Sequence, residues 1–283
     1  MEIFTNNVLL DILFLCLVSM AIAVPLFSYM QKLYPEQDWH NRGSVPTSSF
    51  TDLDMIGIMA TSSLFIANLI YATQGTEPNS MPELSNFNIF ISGAISQFIP
   101  VAIACAFLLP RMNVAEIFGL KNPHLGKVAL VGFAGLFVIY LSMAAIQPIV
   151  TPFLEKTLGE QELQTPVQMI IDAKENNPSL LIILAVLAVI VAPLCEEFVF
   201  RGYIYGTLKR FSGRIFATLT SALFFSVVHA SLWSLIPLFV VGMFLAIIYE
   251  ISESLWAPIL THMLFNGVTT ATLIFVNVED LPV

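Results

Sequence analysis

Charged side chains are scarce in this chain of 283 residues, where Asp, Glu, Lys and Arg together make up 11% of the sequence. Soluble domains usually carry about 25% charged residues. Hydrophobic residues make up 57% of the chain, and such a composition cannot cover a protein with a water-soluble surface. The sequence therefore predicts an all-α, polytopic membrane protein.

Basic residues and cysteines are also few. The chain has 11 Lys and Arg against 20 Asp and Glu, a formal net charge of −9. A nucleic-acid partner requires a basic face, so we expect no nucleic acid as a partner. The three cysteines, Cys16, Cys105 and Cys195, lie in apolar runs without the close spacing of a metal knuckle. We interpret them as small buried hydrophobic residues.

About eight segments are apolar enough to cross a bilayer, which takes about 20 residues of helix. The N-terminal segment lacks the basic residues that open a signal peptide, so we interpret it as a retained membrane helix. The predicted spans are 8–30, 54–73, 87–109, 127–151, 179–208, 214–230, 232–250 and 255–276. Between the fourth and fifth spans, Val167, Ile170 and Ile171 can form one face of an interfacial helix.

Lys and Arg are distributed unequally between the loops on the two sides of the membrane. Most of them fall in the loops 31–53 and 110–127 and in the connection between the fifth and sixth spans. Cytoplasmic loops carry the excess of basic residues, so we expect these loops to be cytoplasmic and both termini to be outside. We expect a multi-pass protein in the plasma membrane of a prokaryote.

Ionisable side chains at membrane depth are costly and commonly functional. Glu196, Glu197, Arg201, His229 and His262 all fall in the last third of the chain. Two further acidic residues, at positions 11 and 250, lie near predicted span ends, and we expect them to reach water there. The concentration of polar groups in the C-terminal spans predicts a site in a cavity among the last four helices.

The stretch PLCEEFVFRG places two adjacent glutamates and an arginine at the end of an apolar run. Residues four apart share a helix face, so Glu197 and Arg201 can form an ion pair. Glu196 points about 100° away from Glu197 on a regular helix. We therefore expect a structural role for Glu197 and a free carboxylate at Glu196. The alternative is that both glutamates end a helix at the water interface.

Two further motifs supply histidines and an asparagine. His229 ends the run FSVVH, and His262 and Asn266 lie four apart in HMLFN. Taken alone, a histidine at a span end serves as an interfacial anchor, and an asparagine inside a span holds helices together. The helix rise places these groups at overlapping depths in the membrane, which favours a shared site.

These residues suit hydrolysis of an amide. A carboxylate in an apolar cavity can take a proton from water, and His and Asn side chains can stabilise the oxyanion that develops. Glu196, His229 and His262 are equally the ligand types of a hydrolytic zinc site, although no His-Glu-x-x-His motif is present. Ser226 lies one turn from His229, but a serine triad lacks its third member.

The three motifs, Glu196-Glu197-x-x-x-Arg201, Phe225-x-x-x-His229 and His262-x-x-x-Asn266, resemble those of the CAAX prenyl endopeptidase and bacteriocin-processing family, also called the Abi family. The resemblance covers roughly residues 179–276. It implies an eight-helix intramembrane endopeptidase, either a metalloprotease or a metal-independent glutamate peptidase. The resemblance thus leaves open whether zinc is a cofactor.

The resemblance also implies roles for the matching residues. Glu196 activates water, His229 assists or binds metal, and His262 with Asn266 stabilises the oxyanion. Glu197 and Arg201 support the site. We expect residues 127–283 to form the protease core and residues 1–126 to add N-terminal transmembrane helices that the resemblance does not cover.

The expected substrate is a membrane-associated peptide or lipidated protein, either of prenylated CAAX type or bacteriocin-like, cut near the cytoplasmic side. Membrane lipid is the other expected partner. Two other classes remain open, because buried Glu, Arg and His also serve as relays in ion- or proton-coupled transporters and because the chain could be a non-catalytic membrane scaffold.

Overall fold

The computed structural model describes residues 43–73, 85–121, 123–159 and 163–276, together with the isolated positions 25, 29, 32 and 33. The predicted first span, 8–30, therefore lies almost entirely outside the described residues, as do Asp11 and Cys16. Cys105 is half-buried and Cys195 is buried, and both are free thiols.

Within the described ranges the chain forms nine helices and no strand, so the prediction of an all-α protein is confirmed. We number them in chain order as α1 Asp52–Thr73, α2 Asn86–Leu108, α3 Val114–Ile117, α4 Leu125–Leu158, α5 Thr165–Asn176, α6 Pro178–Ser212, α7 Arg214–Val227, α8 Leu232–Ser252 and α9 Trp256–Phe275.

Six of these helices are long and apolar enough to cross a membrane, namely α1, α2, α4, α6, α8 and α9. The multi-pass architecture is confirmed, and a total of about eight spans is compatible with it. Helix α7, at the predicted sixth span, has only 14 residues and is too short to cross alone at about 1.5 Å per residue. Helix α5 is the short helix expected between the fourth and fifth spans, and Ile170 is buried on its inner face.

Local sequence signals explain where the helices near the site begin. Ser85 caps α2 by accepting a hydrogen bond from the Asn88 amide, and Ser231 caps α8 in the same way. Asn177 caps α6, and Pro178 is the first residue of the helix. At that position the backbone nitrogen of any residue has no hydrogen-bond partner within the helix, so proline fits there. Gly213, with a φ of 79°, makes the left-handed turn between α6 and α7.

Helix α6 is irregular at the centre of the molecule. Two of its segments, Leu187–Val191 and Phe198–Tyr205, are π-helical and flank six α-helical residues, Ala192–Glu197. A π segment carries one extra residue per turn, which re-aims the side chains around it and frees carbonyl groups. The two glutamates of the first motif therefore stand between two distortions of the helix.

The N-terminal helices share one hydrophobic core with the C-terminal ones. Ile58 and Leu108 belong to the same buried cluster as Phe200 and Phe225. Tyr203 adds a polar contact, because its hydroxyl donates to the Asp54 carbonyl at 3.0 Å. The described N-terminal helices are therefore packed against the helices that carry the motifs.

One close approach in this core depends on a glycine. A β-carbon at Gly202 would lie 2.4 Å from Cε2 of Phe118, closer than any real contact of that kind. The absence of a side chain at Gly202 thus lets the segment around α3 pack directly on α6.

Two ion pairs anchor the end of the bundle that carries most Lys and Arg. Arg111 Nη2 lies 2.5 Å from Asp54 Oδ1, and this hydrogen bond raises the pKa of Arg111 above its usual value. Glu250 pairs with Lys209 and accepts a hydrogen bond from the Tyr205 hydroxyl at 2.7 Å. Glu250 is only 6% exposed, so the expectation that it reaches water at a span end is wrong.

Candidate active site

Glu197 lies at the centre of a buried polar cluster. Its Oε1 accepts hydrogen bonds from Arg201 Nη1 at 2.9 Å and from His262 Nδ1 at 2.8 Å. Both Glu197 and Arg201 have no solvent exposure. The ion pair expected from the four-residue spacing is present, and it persists although Arg201 belongs to a π-helical segment. The link from Glu197 to His262 was not expected from the sequence.

Arg201 makes two further contacts that hold it in the bundle interior. Its Nη2 donates to the Gly242 carbonyl of α8 at 3.2 Å. Its guanidinium carbon lies 4.3 Å from the ring centroid of Phe225 on α7, a cation–π contact. One arginine thereby joins α6 to the two helices that follow it.

Glu196 is the less buried of the two glutamates, with its side chain 16% exposed. Its Oε2 lies 4.0 Å from His229 Nε2 and 3.9 Å from His262 Nε2. These separations are too long for direct hydrogen bonds and short enough for one water molecule to contact the carboxylate and an imidazole together. A water molecule in the adjoining cavity can therefore bridge the carboxylate and a histidine from the side.

Both histidines have their Nδ1 atoms engaged. His229 Nδ1 lies 2.7 Å from the Phe225 carbonyl, and His262 Nδ1 lies 2.8 Å from Glu197 Oε1. Since a carbonyl and a carboxylate can only accept, each Nδ1 carries the proton. In the neutral imidazole, Nε2 is then the acceptor that faces Glu196.

Asn266 contacts the first π-helical segment of α6. Its Nδ2 donates to the Ala188 carbonyl at 2.9 Å, so one of its two amide hydrogens is used to hold α9 against α6. The second amide hydrogen remains available to another acceptor. Asn266 thus makes the helix–helix contact that the sequence analysis gave as its alternative role, and it also lines the cavity.

Glu196, His229, His262 and Asn266 line one cavity of about 700 Å³. A volume of this size accommodates a ligand or a short peptide segment. The site residues come from α6, α9 and the end of α7, as predicted, but the walls also include residues of α1, α2 and α5. Apolar wall residues from these three helices are Phe65, Leu69, Ile89, Pro100, Val167 and Ile170.

Gln97 is a polar residue of this cavity that the sequence analysis did not single out. It lies in α2, and its Nε2 is 3.4 Å from Glu196 Oε1. A glutamine in the middle of an apolar span was the available signal in the sequence, but it carries no charge and lies outside the three motifs.

The donor atoms do not have the spacing of a zinc site. Zinc bonds of about 2.0–2.2 Å in a tetrahedral site place neighbouring ligand atoms about 3.4 Å apart. The separations of 3.9 and 4.0 Å from Glu196 Oε2 to the histidines are wider. Among the described residues, no three His, Cys, Asp or Glu side chains are grouped so that they could hold a metal ion.

Comparison with known proteins identifies the segment that carries the motifs. Residues 178–268 match the family described as type II CAAX prenyl endopeptidase Rce1-like. The chain is 26% identical over 173 residues to the putative membrane peptidase YdiL of Bacillus subtilis (strain 168), a match that covers 61% of this chain and 68% of that protein. No solved structure matches the chain significantly.

A second relative is the membrane-embedded CAAX protease MroQ of Staphylococcus aureus (strain USA300), 31% identical over 145 residues. That match covers 49% of this chain and 54% of the relative. Both relatives are bacterial, in agreement with a multi-pass protein of a prokaryotic plasma membrane. Residues 178–268, which hold all three motifs, are therefore similar to the Rce1-like family of CAAX prenyl endopeptidases.

Proposed function

We propose that this protein is an intramembrane endopeptidase in which Glu196 activates a water molecule for attack on a peptide carbonyl. The observation that carries the proposal is that His229 and His262 both lie within 4.0 Å of the Glu196 carboxylate in a single cavity. The family match supports a membrane endopeptidase and gives no support to the transporter or scaffold alternatives.

The geometry suggests how the water is oriented. One hydrogen of the water points to Glu196 Oε2, and the other points to the Nε2 lone pair of His229. The water lone pair is then directed at the substrate carbonyl carbon. As the carbon–oxygen bond forms, Glu196 takes the proton, and it returns this proton to the leaving nitrogen when the carbon–nitrogen bond breaks.

Asn266 and His262 are the proposed donors to the oxyanion. Asn266 uses the amide hydrogen that is not bound to Ala188. His262 can donate from Nε2 only as an imidazolium, because its Nδ1 proton is already directed at Glu197. His229, oriented by the Phe225 carbonyl, assists the water.

The proposed mechanism uses no metal. The wide donor spacing disfavours zinc, and the proton that leaves the water passes through Glu196 to the leaving nitrogen without a metal. A metalloprotease would need Glu196, His229 and His262 to move closer together. Residues 127–283 remain our proposed protease core, since they contain all seven residues that define the three motifs.

The substrate that we propose is a peptide anchored in or on the membrane. One relative is named a putative membrane peptidase and the other a membrane-embedded CAAX protease. The cavity walls are mostly apolar. A prenylated CAAX-type peptide and a bacteriocin-like peptide both satisfy these features.

The cavity lies toward the helix ends that carry few basic residues. Gln164 and Leu273 line it, whereas Arg111, Lys121 and Lys209 lie at the opposite ends of their helices or in the loops there. If basic loops are cytoplasmic, substrate enters from the outer face. We propose this direction in place of the cytoplasmic side expected from the sequence.

Replacing Glu196 by Gln is expected to abolish cleavage and leave the fold intact. The amide keeps the size of the side chain and cannot accept the proton, and such general bases contribute about 10²–10⁴-fold to rate. The measurement is cleavage of quenched fluorescent peptides, with and without a prenylated C-terminal cysteine, by purified protein in liposomes. Glu253→Gln, at an exposed glutamate, is the matched control. Normal cleavage by Glu196→Gln would show that the mechanism is wrong.

Replacing Arg201 by Ala is expected to destabilise the protein strongly. The substitution leaves the Glu197 charge buried without its cation, which costs about 3–5 kcal/mol. Yield and thermal unfolding in detergent measure the effect. Lys127→Ala, which removes the exposed ion pair with Glu253, should change stability little. A stable, fully active Arg201→Ala protein would contradict the supporting role.

Chelation of metal ions distinguishes the metal-independent mechanism from a metalloprotease. With a carboxylate base alone, cleavage should persist after prolonged dialysis against EDTA and phenanthroline, at a metal content well below one ion per protein. The check is elemental analysis beside the peptide assay. Loss of activity on chelation and its return with zinc would establish the metalloprotease instead.

The direction of the cavity can be tested with single cysteines in a cysteine-free background. Gln168→Cys on the exposed face of α5 should react with a membrane-impermeant maleimide in intact bacterial cells. Lys121→Cys should react only after the cells are permeabilised. The reverse pattern would place the cavity mouth on the cytoplasmic side.

A further inference from the structure

Gln97 brings the N-terminal half of the chain into the site. It lies in the middle of α2, outside the segment that matches the family. Its side chain lines the same cavity as the four proposed catalytic residues. The contact that matters is the one between Gln97 Nε2 and Glu196 Oε1, 3.4 Å apart.

The two oxygens of Glu196 have different neighbours. Oε2 faces the Nε2 atoms of His229 and His262 at 4.0 and 3.9 Å. Oε1 faces Gln97, which supplies the single hydrogen bond to this carboxylate in the described parts of the chain. Without this donor, the carboxylate could rotate about its terminal bond or turn to another rotamer at little cost.

The position of Gln97 follows from a close helix contact. Gly93, one turn earlier in α2, faces Leu187 at the start of the first π-helical segment of α6. A β-carbon at Gly93 would lie 2.9 Å from Leu187 Cδ1, so the missing side chain lets α2 approach α6. Gln97 is thereby brought within reach of Glu196, which lies further along α6.

We propose that Gln97 is a positioning residue for Glu196, an inference that rests on the proposed function. By donating to Oε1, Gln97 keeps Oε2 directed at the Nε2 atoms of the two histidines. Its neutral amide stabilises the charged carboxylate without adding a further acid beside Glu196 and Glu197. The N-terminal helices therefore contribute to catalysis through one side chain as well as enclosing the cavity.

The test compares Gln97→Met with the wild type in the liposome peptide assay. Methionine has a similar length and no donor. We expect kcat to fall roughly tenfold, the loss of about one charge-assisted hydrogen bond, with KM and thermal unfolding nearly unchanged. Gln168→Met is the matched control, since Gln168 lies on the exposed face of α5 and donates to Asp172 of its own helix.

A second variant, Gln97→Glu, gives a readout that a purely structural glutamine would not affect. Two carboxylates in contact share one proton at neutral pH, so Glu196 would be available as a base only at higher pH. We expect the acid limb of the kcat profile to move upward by about one pH unit or more, and activity to recover partly in alkaline buffer.

The outcomes separate this inference from the proposed function. A rise in KM alone in Gln97→Met would make Gln97 a substrate-binding residue, and a fall in stability alone would make it a packing residue. Either result, or unchanged kinetics, overturns the positioning role while leaving the Glu196 mechanism in place. Failure of the proposed function would instead appear as normal cleavage by Glu196→Gln.

Discussion

The whole site depends on one buried carboxylate oxygen, Oε1 of Glu197. It accepts from Arg201 at 2.9 Å and from His262 at 2.8 Å, and Glu197 and Arg201 are fully buried. A charge at this depth is tolerated only when it is paired. The ion pair therefore ties the structure of α6 to the position of α9, since the same oxygen fixes the tautomer and direction of His262. Arg201 extends the connection to α8 through the Gly242 carbonyl.

A division of labour between the two adjacent glutamates follows from that constraint. Because Arg201 and His262 both bind Oε1 of Glu197, its charge is committed to structure. Glu196 turns to the cavity, where its closest polar neighbour is the neutral Gln97 and the histidine Nε2 atoms stand about a water molecule away. Glu196 without Glu197 would be a base beside a histidine that is not held in place. Glu197 without Glu196 would hold His262 beside no base. The pair of residues in the sequence thus reflects two different environments at one depth in the bundle.

Much of this could be read from residue type and short-range spacing. Apolar runs predict the helices, and four-residue spacing predicts both the Glu197–Arg201 contact and a shared face for His262 and Asn266. The expectations that failed depend on partners distant in the sequence. Glu250 lies near a helix end and was expected in water, yet Lys209 and Tyr205 cover it. The π-helical segments of α6 were also beyond prediction, because their apolar residues suit a regular helix equally well.

The distribution of roles along the chain has a physical reason. A hydrolytic site inside a bilayer must hold water while excluding lipid, so it needs walls on every side, and α6 to α9 alone leave Glu196 open toward α2. The N-terminal helices close that side, and the core they share with α6 and α7 keeps the wall rigid. Because α2 forms that wall, one polar residue on it, Gln97, can contact Glu196 and take part in catalysis. Motif analysis overlooks such a residue, because its importance arises from its neighbour in space and not from its neighbours in sequence.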